Sequence, residues 1–204
     1  MASKLYPDRG SSDAKLLRAW AGRAPSFDPA RQRGRGYQAD RHVIQLGYEG
    51  AGPPAAGGLF ERAVRQLLNY EVFPHELLEA TCQWRLESRP LEVGDTILQR
   101  IHLLTRQGEP HYDLLAGVRI DRLIQDDWER GFHYVTLRGH PERGMATLLV
   151  RKDPGTGQVS FMIESVSAPG RWLTWLARPW ARRFQLQAAQ RALEHFRQRL
   201  GAAK

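Results

Sequence analysis

Apolar positions recur along this chain at two different periods. From residue 59 onward Phe60, Ala63, Val64, Leu67 and Leu68 fall three and four apart, which predicts a helix lying on a core. Pro74 is placed to end it, and "HELLEA" just after reads as the start of a second short helix. Near the end Leu186, Ala189, Leu193, Phe196 and Leu200 repeat the same spacing, with Arg182, Arg183, Arg191, Arg197 and Arg199 in other directions. That predicts a long amphipathic helix with Pro179 in its first turn, where a missing N–H costs nothing. Between these helices the period falls to two. "TCQWRLES" alternates Cys82, Trp84 and Leu86 with Thr81, Arg85 and Glu87. "DTILQRIHLL", "LLAGVRIDRLIQ", "GFHYVTLRG", "MATLLVRK" and "QVSFMIESVSA" follow as strand-length segments separated by turn chemistry, clearest in "DPGTG" at 153–157.

With "YQADRHVIQLG" as an entry strand, the order is strand, one or two helices, about five antiparallel strands, then a long helix. The class is α+β. A curved sheet cannot bury its concave face alone, and one long helix gripping it is the economical cover. This is the helix-grip architecture, which often leaves a cavity between sheet and helix. Residues 1–35 read as an N-terminal arm with a short helix from Ser12 or Asp13 to Gly22, and 36–204 as a single domain.

Charge changes the picture at the ends. The net charge is +8, but residues 1–41 hold nine Lys/Arg against four Asp/Glu, and residues 171–204 hold eight against one. Such ends attract anionic surfaces, so the Arg-rich closing helix is an expected contact for one; solvated surface arginine is the plainer reading. No specific nucleic-acid partner is expected. With 42% hydrophobic residues and no apolar run of membrane-spanning length, the chain reads as globular. The start lacks the apolar stretch of a secretory signal, and Cys82 has no partner for a disulfide, so a cytoplasmic setting is expected.

Candidate chemistry is sparse. There is no nucleophile elbow, P-loop or dinucleotide fingerprint, and no pair of the seven histidines shows metal-ligand spacing, so neither metal nor cofactor is expected. Trp172, Trp175, Trp180 and Phe184 cluster among arginines, as core packing first, with a cavity lid, a membrane-surface anchor or a stacking platform for single strands as the functional readings. In "GFHYVTLRGHPERG", Tyr134 and Thr136 point the same way and suit a cavity wall, while His140, Pro141 and Glu142 make a turn with Gly144 free to turn left-handed. Further wall candidates are Trp84, His102, Met162, Glu164 and Leu193, with Glu164 the one carboxylate in an apolar wall. These positions suit a small hydrophobic or amphipathic ligand. The alternatives are a cyclase or hydrolase pairing Tyr134 with Glu164, and a basic module for membrane surfaces or polyanions.

Ordered pieces of the chain resemble the DUF1990 family, also called UPF0548. They are "GYQADRHVIQLG", "GGLFERAVRQLLNYEVFP", "LEVGDTILQR", "GFHYVTLRGHPERG" and "SAPGRWLTWLARPWARRFQLQAAQRAL". The fourth carries the family's pattern at Gly131, Phe132, Tyr134, Thr136, Gly139, His140, Pro141, Glu142 and Gly144. The chain departs from the family in its stretched "EGAGPPAAGG", and in Met145 and Ala146 where acidic residues usually follow the motif. The resemblance implies a fold similar to the Bet v 1 and START-like helix-grip group and implies no activity.

Overall fold

The computed structural model describes residues 5–6, 13–28, 36–106, 109–169 and 178–202, without the side chains of 5–6, 103–112, 169, 178–182, 184 and 202. Twelve elements follow in order: β1 (Leu5–Tyr6), α1 (Asp13–Ala21), β2 (Gln38–Tyr48), α2 (Leu59–Leu68), β3 (Leu78–Cys82), α3 (Gln83–Leu86), β4 (Thr96–Arg106), β5 (Glu109–Gln125), β6 (Glu129–Thr136), β7 (Glu142–Lys152), β8 (Gln158–Pro169) and α4 (Arg178–Ala202). The strands form one antiparallel sheet in the order β2-β8-β7-β6-β5-β4-β3, and β1 pairs with β5 at Leu114 and Asp113. β3 to β8 are successive neighbours, and β2 closes the far side against β8.

The concave face carries Ile97, Val118, Ile120, Phe132, Leu148, Val150, Phe161 and Ile163, all buried. α2 and α4 cover it: α4 lies along β2 and β8 and against α2, with Phe196 stacked on Phe161 at 4.1 Å between ring centroids. This is the expected helix-grip arrangement. The convex face has its own cover. Leu17 and Trp20 of α1 pack on Leu98, Leu115 and Leu137, so the arm's helix contributes a second, smaller core.

Three local readings change. "HELLEA" is not a helix: Leu78–Cys82 pairs with β4, Leu78 against Ile101 and Cys82 against Ile97. Its helix-forming Leu and Glu residues yield to strand pairing that buries Leu78 and Cys82. "TCQWRLES" is only briefly extended; the strand ends at Cys82 and α3 follows, which carries Trp84 under α2, where its indole N–H donates to the Leu68 carbonyl at 3.1 Å. α2 stops at Leu68, well before Pro74. Tyr70 there takes φ 58°, and the Glu71 N–H returns to the Gln66 carbonyl, so a left-handed cap ends the helix with a tyrosine where glycine is usual.

The motif turn keeps its predicted site but exchanges its glycines. Gly139 adopts the positive φ, 99°. Gly144 is glycine because β8 passes close by: a Cβ there would sit 2.2 Å from the Val166 carbonyl oxygen.

Candidate functional site on the concave face

The seven wall candidates divide between the two faces of the sheet. Tyr134, Thr136, Trp84 and Leu193 lie on the concave side, with the last two buried in its core. His102, Met162 and Glu164 lie on the convex side. In β8 the inward residues are Val159, Phe161 and Ile163, so their neighbours Met162 and Glu164 point out, where Arg41 pairs with Glu164 at 3.0 Å and donates to the Met162 sulfur at 3.2 Å. In β4 the inward residues are Ile97, Gln99 and Ile101, and His102 faces the other way. It is buried against Asp113, with 2.7 Å between Nδ1 and the carboxylate, and Arg100 bridges the same Asp113 to Asp13 of α1. Tyr134 and Glu164 are therefore on opposite faces, and no acid–base pair forms between them.

Thr136 is inward but committed. It ends β6 where β7 diverges, and its hydroxyl accepts the Gly144 N–H at 2.9 Å and meets the Ser26 hydroxyl at 2.7 Å. It fastens the strand ends rather than lining an open wall. His140 likewise holds the turn. Its Nδ1 accepts the Glu142 backbone N–H at 3.0 Å, and burial pushes its pKa down to about 4, so it is neutral at ordinary pH.

What gathers around Tyr134 is a set of polar groups from four elements. Gln99 of β4 donates its amide N–H to the Tyr70 hydroxyl at 2.7 Å, both groups buried. The Tyr134 phenol feels both groups, and the residue as a whole is only partly buried. Beyond it Glu142 of β7 accepts a hydrogen bond from the Gln185 side chain of α4, which ties the motif to the gripping helix. Burial is the strongest influence on both phenols: it pushes Tyr134 up to about 12 and Tyr70 well above the ordinary tyrosine value. Hydrogen bonds from Gln99 and Tyr70 pull Tyr134 down, and the Glu142 charge adds to the rise. Burial also raises the nearby Cys82 thiol to about 12. At neutral pH these groups are uncharged; they donate and accept hydrogen bonds, and none is a ready base or nucleophile.

Polarity along the concave face is graded. One register row runs His133's neighbour Phe132, Leu148, Ile163 and His42; the next runs Tyr134, Ala146, Ser165 and Asp40. The face passes from a closed aromatic core to a polar rim within two residues of strand. A cleft of about 290 Å³ opens between Leu77 and the α4 residues Gln187, Ala188, Gln190, Arg191 and Glu194. The sequence places Tyr134 on the concave wall but gives no sign of Tyr70 and Gln99, which lie far from it in the chain and in unremarkable contexts. Glu142 reads from the sequence mainly as part of the turn.

Of the arginines expected to present a basic helix face, Arg191 pairs with Glu76 and Arg199 with Glu71, while Arg183 and Arg197 are exposed. Trp172 and Trp175 lie outside the described residues, as do the side chains of Trp180, Arg182 and Phe184. Among the described residues no group of three or more His, Cys, Asp or Glu is placed to hold a metal ion, and no helix is long and apolar enough to cross a membrane.

Comparisons with known proteins agree with this architecture. A UPF0548 protein of Dictyostelium discoideum is 27% identical over 160 residues, which cover 73% of this chain; the chain spans 66% of that protein's length. The crystal structure of a hypothetical protein from Helicobacter pylori superposes with a TM-score of 0.50 at 12% identity, over 83% of this chain and 92% of that one, and shares the fold. Norcoclaurine synthase from Thalictrum flavum superposes at 0.48 with 12% identity, over 87% of this chain and 94% of that one. The family model described as a domain of unknown function, DUF1990, matches residues 24–195, a span that holds the whole concave face and most of the gripping helix, and the chain belongs to that family.

Proposed function

We propose that this protein binds a small, mostly apolar molecule between the concave face of its sheet and α4. One observation carries the reading. On a face whose centre, Phe132 and Leu148, is fully buried, Tyr134 is a polar residue left partly exposed beside the buried, hydrogen-bonded Tyr70 and Gln99. A few polar groups set in an apolar wall are the usual makeup of a small-molecule site. The neutral state of Tyr70, Tyr134 and Cys82 argues for recognition by shape and hydrogen bonding rather than by charge.

The test is native mass spectrometry of the protein purified from its own host, joined to a titration with the neutral dye Nile red. A retained small molecule, and saturable blue-shifted dye emission that this molecule displaces, are the expected results. Protein that carries nothing and leaves the dye's emission unchanged would remove the reading.

A further inference from the structure

We infer that the charge cluster on the convex face is a proton-linked lock on α1. While α1 is docked, one proton sits between His102 and Glu79, and α1 is released as pH rises. The lock lies on the other face of the sheet from the proposed ligand site and does not depend on it.

Four elements build the cluster: Asp13 of α1, Glu79 and Thr81 of β3, Arg100 and His102 of β4, and Asp113 of β5. Arg100, His102 and Asp113 are buried. His102 Nδ1 is 2.7 Å from an Asp113 carboxylate oxygen, which can only accept, so Nδ1 carries a hydrogen. The other ring nitrogen, Nε2, is buried without a hydrogen-bond partner, and Glu79 Oε1 lies 3.6 Å from it. A bare Nε2 would turn its lone pair on that carboxylate where water does not reach. A hydrogen on Nε2 makes the same approach a charge-assisted contact.

The balance of charge points the same way. Asp13, Glu79 and Asp113 share one guanidinium, for Arg100 reaches them at 2.7, 4.0 and 3.3 Å. With a neutral His102 the buried arginine is the cluster's one cation among its own members; an imidazolium supplies the second. His75 is the other titratable group on Glu79, 3.5 Å from the same oxygen, and is exposed.

α1 is the member that can leave. Glu79 and Asp113 stand on strands paired to β4. α1 is held by side chains: Asp13 takes Arg100 and, at 3.5 Å, the Thr81 hydroxyl, while Leu17 and Trp20 pack on Leu98, Leu115 and Leu137. At its far end Arg119 donates to the Ala21 and Arg23 carbonyls. Docking α1 brings a third carboxylate to the cluster and so strengthens its hold on the proton. By reciprocity the proton strengthens the cluster's hold on α1.

Amide hydrogen exchange in the full chain reads the lock. Exchange at Leu17 to Ala21, divided by the intrinsic rate at each pH, gives the constant for opening α1. That constant should rise about tenfold between about pH 6 and about pH 8, part of the roughly hundredfold that one whole proton would give. The amides of α2, which report the whole fold, should not follow. His102→Gln should flatten the α1 profile, and His75→Asn should keep it. Where His102→Gln does not fold, imidazole nitrogen NMR of the wild-type protein decides: at neutral pH both ring nitrogens of His102 should carry hydrogen. A bare Nε2 at neutral pH, an opening constant that ignores pH, a profile flattened by His75→Asn, or α2 amides that open in step with α1 would each overturn the lock.

Discussion

Lys152 is 1% exposed at the end of β7, and its ammonium sits 3.0 Å from the Glu49 carboxylate, which is 6% exposed. The same ammonium donates to the Pro53 carbonyl at 3.0 Å, and the other Glu49 oxygen accepts the Phe60 N–H at 2.8 Å. One ion pair thus anchors the Gly- and Pro-rich stretch after β2 and caps α2, whose own N-cap, Gly58, has no side chain to do so. Lys152→Met keeps most of the stem's volume and strands a buried carboxylate. Breaking one partner of such a pair costs about 3–5 kcal/mol. Loss of the Pro53 hydrogen bond adds about 1 kcal/mol. For a domain of this size that is a fall in Tm of roughly 10 °C or more. Adding Glu49→Gln should recover much of the loss, because the uncompensated charge is gone. Urea denaturation followed by tryptophan fluorescence measures all three variants. A single-variant cost under about 1 kcal/mol, or a double variant that loses the sum of the singles, would refute the reasoning. The pH dependence gives a second check. Burial raises the Glu49 pKa, but the Phe60 N–H and Lys152 outweigh it, leaving the folded value below the ordinary 4.5. Its contribution is therefore full above that value and is lost as pH falls through the lower folded one. Glu49→Gln should flatten that part of the stability profile.

Two further perturbations probe the sheet's other fastenings. Trp20 is 5% exposed and fills the space over Gly117, whose absent Cβ would lie 2.3 Å from the indole. Trp20→Ala should cost about 3–5 kcal/mol in chemical denaturation and loosen α1 from the convex face, which hydrogen exchange at Leu98 and Leu115 would report. His140, held neutral with a folded pKa of about 4 against an ordinary 6.5, makes the unfolded state the better proton binder between those values. Stability should decline as pH drops across that window, and His140→Asn should remove that part of the decline; an unchanged slope would mean that His140 is not buried as described.

The parts of the fold that could be read from the sequence are those where burial is one-sided. α2 and α4 show a single apolar stripe, and β6 alternates cleanly enough to place Phe132 and Tyr134 on one face. Where both faces are buried the pattern loses its phase. Every residue from Thr96 to Arg100 is buried, because α1 covers the convex side of β4, and nothing in "TILQRIH" says which side His102 takes. β8 has apolar residues of both parities, and choosing Met162 with Glu164 over Phe161 with Ile163 was a slip of one residue, which inverts every side chain on a strand. The site itself is less legible still. Gln99 and Tyr70 are 29 residues apart, joined only by the β3–β4 pairing and the end of α2, and no local spacing encodes that meeting.

Tyr70 shows how the architecture and the site depend on each other. A tyrosine in the left-handed region costs roughly 1–2 kcal/mol that a glycine at the same cap would not. The helix could be ended more cheaply, so the ring must repay that strain through what it does after the turn. It packs against Phe73 and Phe132, at 6.0 and 6.2 Å between ring centroids, and its hydroxyl takes the Gln99 amide that would otherwise be buried unbonded. Those contacts exist only if α2 ends at this position. The start of α2 is set by Glu49 and Lys152, and its length by the stripe from Phe60 to Leu67. The ion pair at one end of the helix therefore locates the Tyr70 phenol at the other. A disturbance of the Glu49–Lys152 pair too mild to unfold the protein would be felt at Tyr70 as a misplaced hydroxyl, more than ten residues from Glu49 in the sequence.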